Sequence, residues 1–229
     1  MPRLNPCSTV FVLSVCALAA WAPVAKASDA EGPGAQGPVT QTLGTCAWSH
    51  VPAADRAAIL GDYHQASVEG ILAHMPDFSR GLEARDEILH QAFLACDSRP
   101  DIPRHLYSSL LAAQAIQSGA AAELDAAHLT FRPHISRDKL DDAWSEAPEA
   151  SRQCVRAHVG KDFGVTDLTC PDLKPTFWFL RKFGLNPYIK SDQPVAAQIL
   201  IFYAAKAQDE FAVAAIAHME KGAADAPAP

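Results

Sequence analysis

Apolar side chains return every three or four residues through most of this chain, and long β-branched runs are scarce, so the pattern reads as helix after helix. Leu60, His64, Val68, Ile71 and Met75 fall at spacings of 4, 4, 3 and 4, one face of a first long helix. Leu82, Leu89, Phe93 and Cys96 mark a second, with Pro76 and Ser79 between the two. Asp101-Ile102-Pro103 caps a third, carrying Leu106, Leu110, Ala113 and Ile116 as far as Gly119. Ser136 caps a short helix with Leu140 and Trp144, and Pro148 begins another from Ala150 to His158. Residues 161–172 read as irregular. Lys174 to Phe183 is an aromatic helix stopped by Gly184 and Pro187. Asp192-Gln193-Pro194 opens the last helix, to about Met219, with Ile199, Phe202, Tyr203, Val213 and Ile216 as core. Gln198, Lys206, Asp209 and Glu210 mark its polar side. The expected fold is all-α: a compact bundle of six or seven helices.

Two fragments repeat. Residues 47–56 (Ala-Trp-Ser-His-Val-Pro-Ala-Ala-Asp-Arg) match residues 143–152 (Ala-Trp-Ser-Glu-Ala-Pro-Glu-Ala-Ser-Arg) at 6 of 10 positions. In each, serine is read as a helix cap, proline as the first turn, and tryptophan as packing just before it. The Asp-x-Pro openings at Asp101 and Asp192 lie 91 residues apart, near the 96 that separate Trp48 from Trp144. This spacing fits two weakly related halves, 46–125 and 137–221; reuse of a common helix start is the plainer alternative.

The first 27 residues read as an export signal: Arg3, an apolar run from Val10 to Ala20, then Ala25-Lys26-Ala27 before a mature start near Ser28. Lipidation at Cys16 fits poorly, because Val15 stands where a small residue is needed. A Gly- and Pro-rich leader covers 28–45, the helical domain 46–221, and an unpackable tail 222–229. Cleavage removes two positive charges and no acidic residue, so the formal charge moves from −7 to −9. Such a chain does not bind nucleic acid through bulk electrostatics. The run from Pro194 to Lys206 is too short for a membrane span. The expected location is periplasmic or secreted, where thiols oxidise. Cys46, Cys96, Cys154 and Cys170 remain after cleavage and allow three pairings; Cys46–Cys96 and Cys154–Cys170 keep each bridge within one half.

Motifs for chemistry are weak. Glu83, Glu87 and His90 are read on one helix face, and Glu87-x-x-His90 has the spacing of di-iron bundles, but the only second half-match is Asp125-x-x-His128. None of the nine histidines falls in a zincin or haem pattern, and no Cys-x-x-Cys pair occurs, so neither a metal nor a cofactor is expected. His64, on the apolar stripe, reads as a partly buried histidine. The most unusual composition is Lys174 to Phe183, three cations among four aromatics. Phe177, Leu180 and Phe183 suit a core face, whereas Trp178, Arg181 and Lys182 are candidates for an exposed partner-binding edge. The expectation is an exported, non-enzymatic helical module that binds an envelope protein or glycan. The alternative is a small exported hydrolase or metal-dependent enzyme that gathers Glu87, His90 and His64.

Overall fold

The computed structural model describes residues 42–127, 134–165 and 167–224. The signal segment, most of the leader, His128 and the last five residues lie outside them. Eight α-helices are present among the described residues: α1 (Leu43–His50), α2 (Ala53–Glu83), α3 (Asp86–Leu94), α4 (Arg104–Ala126), α5 (Arg137–Glu146), α6 (Glu149–Val159), α7 (Phe177–Lys182) and α8 (Gln193–Ala224). Short 3₁₀ turns follow α6 and precede α7 and α8, and no strand occurs among the described residues. The fold is all-α. Helix α1 is the addition: Leu43 to Thr45, expected in the leader, form its first turn, with the Thr42 side chain accepting from the Thr45 amide. At the other end α8 continues to Ala224, into the expected tail.

Helices α4 and α8 form the centre. They run antiparallel, since Gln114 meets Asp209 while Gln117 meets Ala205. Helices α1, α2, α3 and α5 pack on α4, and α6 and α7 on α8. Both central helices are buried around most of their circumference, which is why neither has a strong apolar face. The polar side read on α8 is therefore not a solvated one. Gln198 and Asp209 are buried, and all four polar groups have partners inside: Tyr63 and Ser67 for Gln198, Asp141 for Lys206, Gln114 for Asp209, and Trp144 and Arg156 for Glu210.

Several boundaries differ from the sequence expectation for physical reasons. Helix α4 runs through Gly119, which is not a stop but a seat. A Cβ there would lie 2.5 Å from the ring of Tyr63, a fully buried side chain whose hydroxyl donates to Gln198 Oε1 at 2.8 Å. Tyr63 accordingly sets the face of α2. The buried positions are Ile59, Tyr63 and Ala66, one residue out of phase with the Leu60–His64–Val68 stripe, which leaves His64 and Val68 exposed. Helix α2 also bends at Gly70 (φ 110°, ψ 94°) and not at Pro76. Only glycine reaches that backbone region without strain. Pro76 lies inside the second run, and the carbonyl it leaves without a helix partner belongs to Leu72, an exposed residue. Glu83 ends α2 and Glu87 and His90 sit on α3, so the three do not share a helix face.

The two Trp-Ser-x-x-Pro segments adopt one geometry, though not the one expected. Tryptophan and serine lie in the last turn of a helix, not ahead of the next. Val51 and Ala147 cap those helices, each donating to the tryptophan carbonyl at 3.3 Å, and Pro52 and Pro148 are the N-caps of α2 and α6. Arg56 Nη1 then donates to the carbonyls of Trp48 (3.3 Å) and Ser49 (2.7 Å); Arg152 Nη1 does the same to Trp144 (3.3 Å) and Ser145 (3.1 Å). A carboxyl-terminal helix end exposes carbonyls that lack partners. The arginine one turn into the next helix supplies them, locking the corner.

Two disulfides close the periphery, Cys46–Cys96 tying α1 to the end of α3 and Cys154–Cys170 tying α6 to the irregular segment. These are the pairings expected from locality. None of the described helices is long and apolar enough to cross a membrane.

The α4–α8 seam carries a polar network. Gln114 Nε2 donates to Asp209 Oδ1 (3.0 Å), and Arg137 donates to Gln114 Oε1 (3.4 Å), Gln117 Oε1 (3.1 Å) and Ser118 Oγ (3.2 Å). Burial holds the Asp209 carboxyl above the ordinary carboxylate range, against the opposing pull of the Gln114 N–H and of Lys206. A raised carboxyl means that the folded chain binds this proton more tightly than the unfolded chain. The group therefore favours folding below the ordinary carboxylate range and loses that contribution as pH rises through its folded value. Asp209→Asn keeps an oxygen for Gln114 and cannot ionise. Its melting temperature should rise relative to the parent by a few degrees between about pH 4 and about pH 8. A difference that stays constant over that interval would refute the assignment.

Candidate functional site

Helix α8 meets α7 through Tyr203, whose ring lies 4.1 Å from that of Phe179, and carries smaller side chains alongside. Ala196, Ala197 and Ala204, with Leu200 and Ile201, form a stripe that α6 and α7 do not fill. The space left is a cavity of about 460 Å³, within the size range of small-molecule sites. Val155, His158 and Val159 of α6 form one wall, and Phe177 and Leu180 of α7 another. Leu72, just past the Gly70 bend, and Tyr188, on the loop before α8, stand at its edge. Both are among the large apolar side chains the fold leaves exposed, Leu72 at 45% and Tyr188 at 78%.

Among the described residues, no carboxylate, lysine or arginine lines this cavity. Its polar groups are the His158 imidazole, the Thr176 hydroxyl, the Gln193 amide and the Tyr188 hydroxyl. Thr176 Oγ1 already donates to the Leu173 carbonyl at 2.6 Å. Burial first, and the Lys161 ammonium second, hold His158 below the ordinary histidine range, so the ring is neutral at pH 7. The cavity thus offers apolar surface with a few neutral hydrogen-bonding groups.

A second, smaller cavity of about 260 Å³ lies beside the Gly70 bend, lined by Asp62, Glu69, His74 and Asp77 among others. Its charges are matched within the chain: Asp77 pairs with Arg80, Asp62 with Arg85, and His74 lies 3.4 Å from both Glu69 and Asp77.

Trp178, Arg181 and Lys182 share α7, but the tryptophan is half-buried. Its ring meets Phe179 edge-on at 5.5 Å, and Lys182, 6.0 Å from the ring centroid, pairs with Glu146. Arg181 is exposed. Leu180 and Phe183 of the expected core face are buried, Phe179 is fully buried beside them, and Phe177 is half-buried and lines the cavity.

The groups proposed for enzymatic chemistry are dispersed. His64 Nδ1 lies 2.5 Å from Glu123 Oε1, whereas His90 stacks on Tyr107 with centroids 4.7 Å apart. Those two partners are sixteen residues apart on α4, about 24 Å along a helix rising 1.5 Å per residue. Glu87 accepts from Gln91 at 3.0 Å, and Asp125 pairs with His134 at 2.7 Å. The local Glu-x-x-His spacing carries no information about which helices face each other, and here no second carboxylate–histidine pair faces α3 among the described residues. Comparison with protein families, characterised proteins and solved structures finds no match to this chain.

Proposed function

We propose that this chain is an exported, non-enzymatic binding protein whose site is the cavity between α6, α7 and α8. Its ligand is an uncharged amphiphile whose apolar part enters the cavity. One observation supports this reading above the others: a cavity of about 460 Å³, with no charged side chain in its wall among the described residues, opens beside two exposed large apolar side chains, Leu72 and Tyr188. Apolar surface of that kind is costly to leave in water and is a common mark of a binding site. A charged ligand group inside would lack a counter-ion, whereas an ester, alcohol or amide end could reach His158 or Gln193.

An uncharged, environment-sensitive naphthylamine fluorophore is the probe. Saturable one-to-one binding is expected. Ala197→Trp, which fills the cavity from a half-buried position on α8, should weaken it roughly tenfold or more, about 1.4 kcal/mol. Trp178→Ala should leave it within about twofold. Non-saturable binding, or full affinity in Ala197→Trp, would remove the cavity as the site. Loss of affinity in Trp178→Ala alone would transfer the function to the aromatic edge of α7.

Export is supported by the amino-terminal pattern and by two disulfides, which belong to oxidising compartments. Expression of the full chain in a bacterium, followed by envelope fractionation and intact mass, should return a protein beginning near Ser28. An uncut 24.5 kDa chain held in the cytosol would end that part of the proposal.

A further inference from the structure

Cys46 and His50 lie one turn apart on α1, so their side chains leave the same face, and the bridge brings Cys96 from the end of α3 onto that face. His50 Nδ1 is 3.4 Å from Cys96 Sγ and 4.0 Å from Cys46 Sγ. A tetrahedral zinc site with Zn–S near 2.3 Å and Zn–N near 2.0–2.1 Å has a sulfur–nitrogen edge of about 3.6 Å and a sulfur–sulfur edge of about 3.8 Å. Both sulfur–nitrogen edges are thus present to within about half an ångström. The sulfur–sulfur edge alone lies far from its tetrahedral length, because the two atoms are bonded. With the Cα atoms 6.0 Å apart, rotation of the two cysteine side chains can open it. His50 is exposed and the cysteines half-buried, so the fourth position faces solvent. No other group of three potential ligands is as close among the described residues.

We propose that reduction of the Cys46–Cys96 bridge uncovers a site for a thiophilic divalent cation of the zinc type. Its ligands are Cys46 Sγ, Cys96 Sγ and His50 Nδ1, with water as the fourth. A dithiol reductant supplies two electrons and two protons, the S–S bond breaks to two thiols, and the reductant becomes a disulfide. The cation then displaces both thiol protons and binds two thiolates. His50 binds as the tautomer protonated on Nε2, giving up the 3.1 Å contact of Nδ1 with the Cys46 carbonyl. Bridge and metal exclude each other. The same three residues are therefore a staple when oxidised and a metal centre when reduced.

The test uses the mature protein, reduced with excess dithiol that is then removed by anaerobic desalting. Cobalt(II) is the probe, read by its thiolate-to-metal charge-transfer band and displaced with zinc. One equivalent should bind to reduced protein and none to the oxidised form at that site. Binding should be lost in Cys46→Ser/Cys96→Ser, weakened at least tenfold in His50→Ala, and retained in Cys154→Ser/Cys170→Ser. Circular dichroism should show the helical signal kept on reduction. The proposal is overturned by a cobalt band that survives Cys46→Ser/Cys96→Ser, by full affinity in His50→Ala, by no band at all, or by loss of helix on reduction.

Discussion

Trp144→Ala should lower the stability of the fold by about 3–5 kcal/mol, the range for emptying a buried aromatic site. The indole is 5% exposed and packs against Phe179, 5.7 Å away at 13°, and Tyr203, 5.6 Å away at 18°, two rings that themselves lie 4.1 Å apart. Its Nε1 donates to Glu210 Oε1 at 2.9 Å, and Arg156 lies 5.7 Å from the ring centroid while donating to Glu210 Oε2 at 3.0 Å. Truncation empties the space beside this ring pair and strips Glu210 of one of its donors. Trp144→Phe keeps most of the stacking and should cost less. Trp48→Ala, at the matching corner but only half-buried, should also cost less than Trp144→Ala. Urea unfolding of the three variants is the measurement. A Trp144→Ala loss under about 1 kcal/mol would show that the site collapses without penalty.

Cys46→Ser/Cys96→Ser should cost about 4 kcal/mol, and Cys154→Ser/Cys170→Ser about 3 kcal/mol, from the loop entropy released to the unfolded chain. The difference arises because the first bridge spans 50 residues and the second 16. Both variants should stay folded, since the helices of the core meet through apolar contacts that neither bridge makes. For a domain of this size the first change lowers the melting temperature by about 8–16 °C. An equal loss from both pairs would mean that loop length does not govern their contribution.

The helices and the disulfide pairing were legible because both are local properties. Three- and four-residue spacing marks a helix wherever it packs, and bridges between near neighbours are the shortest loops to close. The face of α2 was not legible. Leu60–His64–Val68 and Ile59–Tyr63–Ala66 are both acceptable stripes, and the choice between them is made by Gly119, 56 residues away, which admits the Tyr63 ring. The polar positions on α8 misled for the same reason. Gln198 and Asp209 look solvated until Tyr63 and Gln114 are placed opposite them. Gly70 and Pro76 are both breakers, and local sequence does not rank them. The Trp-Ser-x-x-Pro repeat was seen, but its serine bonds backward into the preceding helix: Ser49 Oγ donates to the Cys46 carbonyl at 2.7 Å. The cavity had one sequence signal, the small residues Ala196, Ala197 and Ala204 spaced as a helix stripe, which reads equally well as close packing. The cysteine–histidine cluster had a partial one, the four-residue spacing of Cys46 and His50 beside the expected Cys46–Cys96 bridge, which could be read only once residues 43–50 were known to be helical.

Helix α8, the last helix among the described residues, supplies the middle of the molecule. A chain emerging from the ribosome carries α1 to α7 before it carries the partner on which α6 and α7 rest and against which α4 lies. Until residues 193–224 arrive, Leu110, Leu111 and Leu180 have no apolar cover on that side, and completion of the core waits for α8.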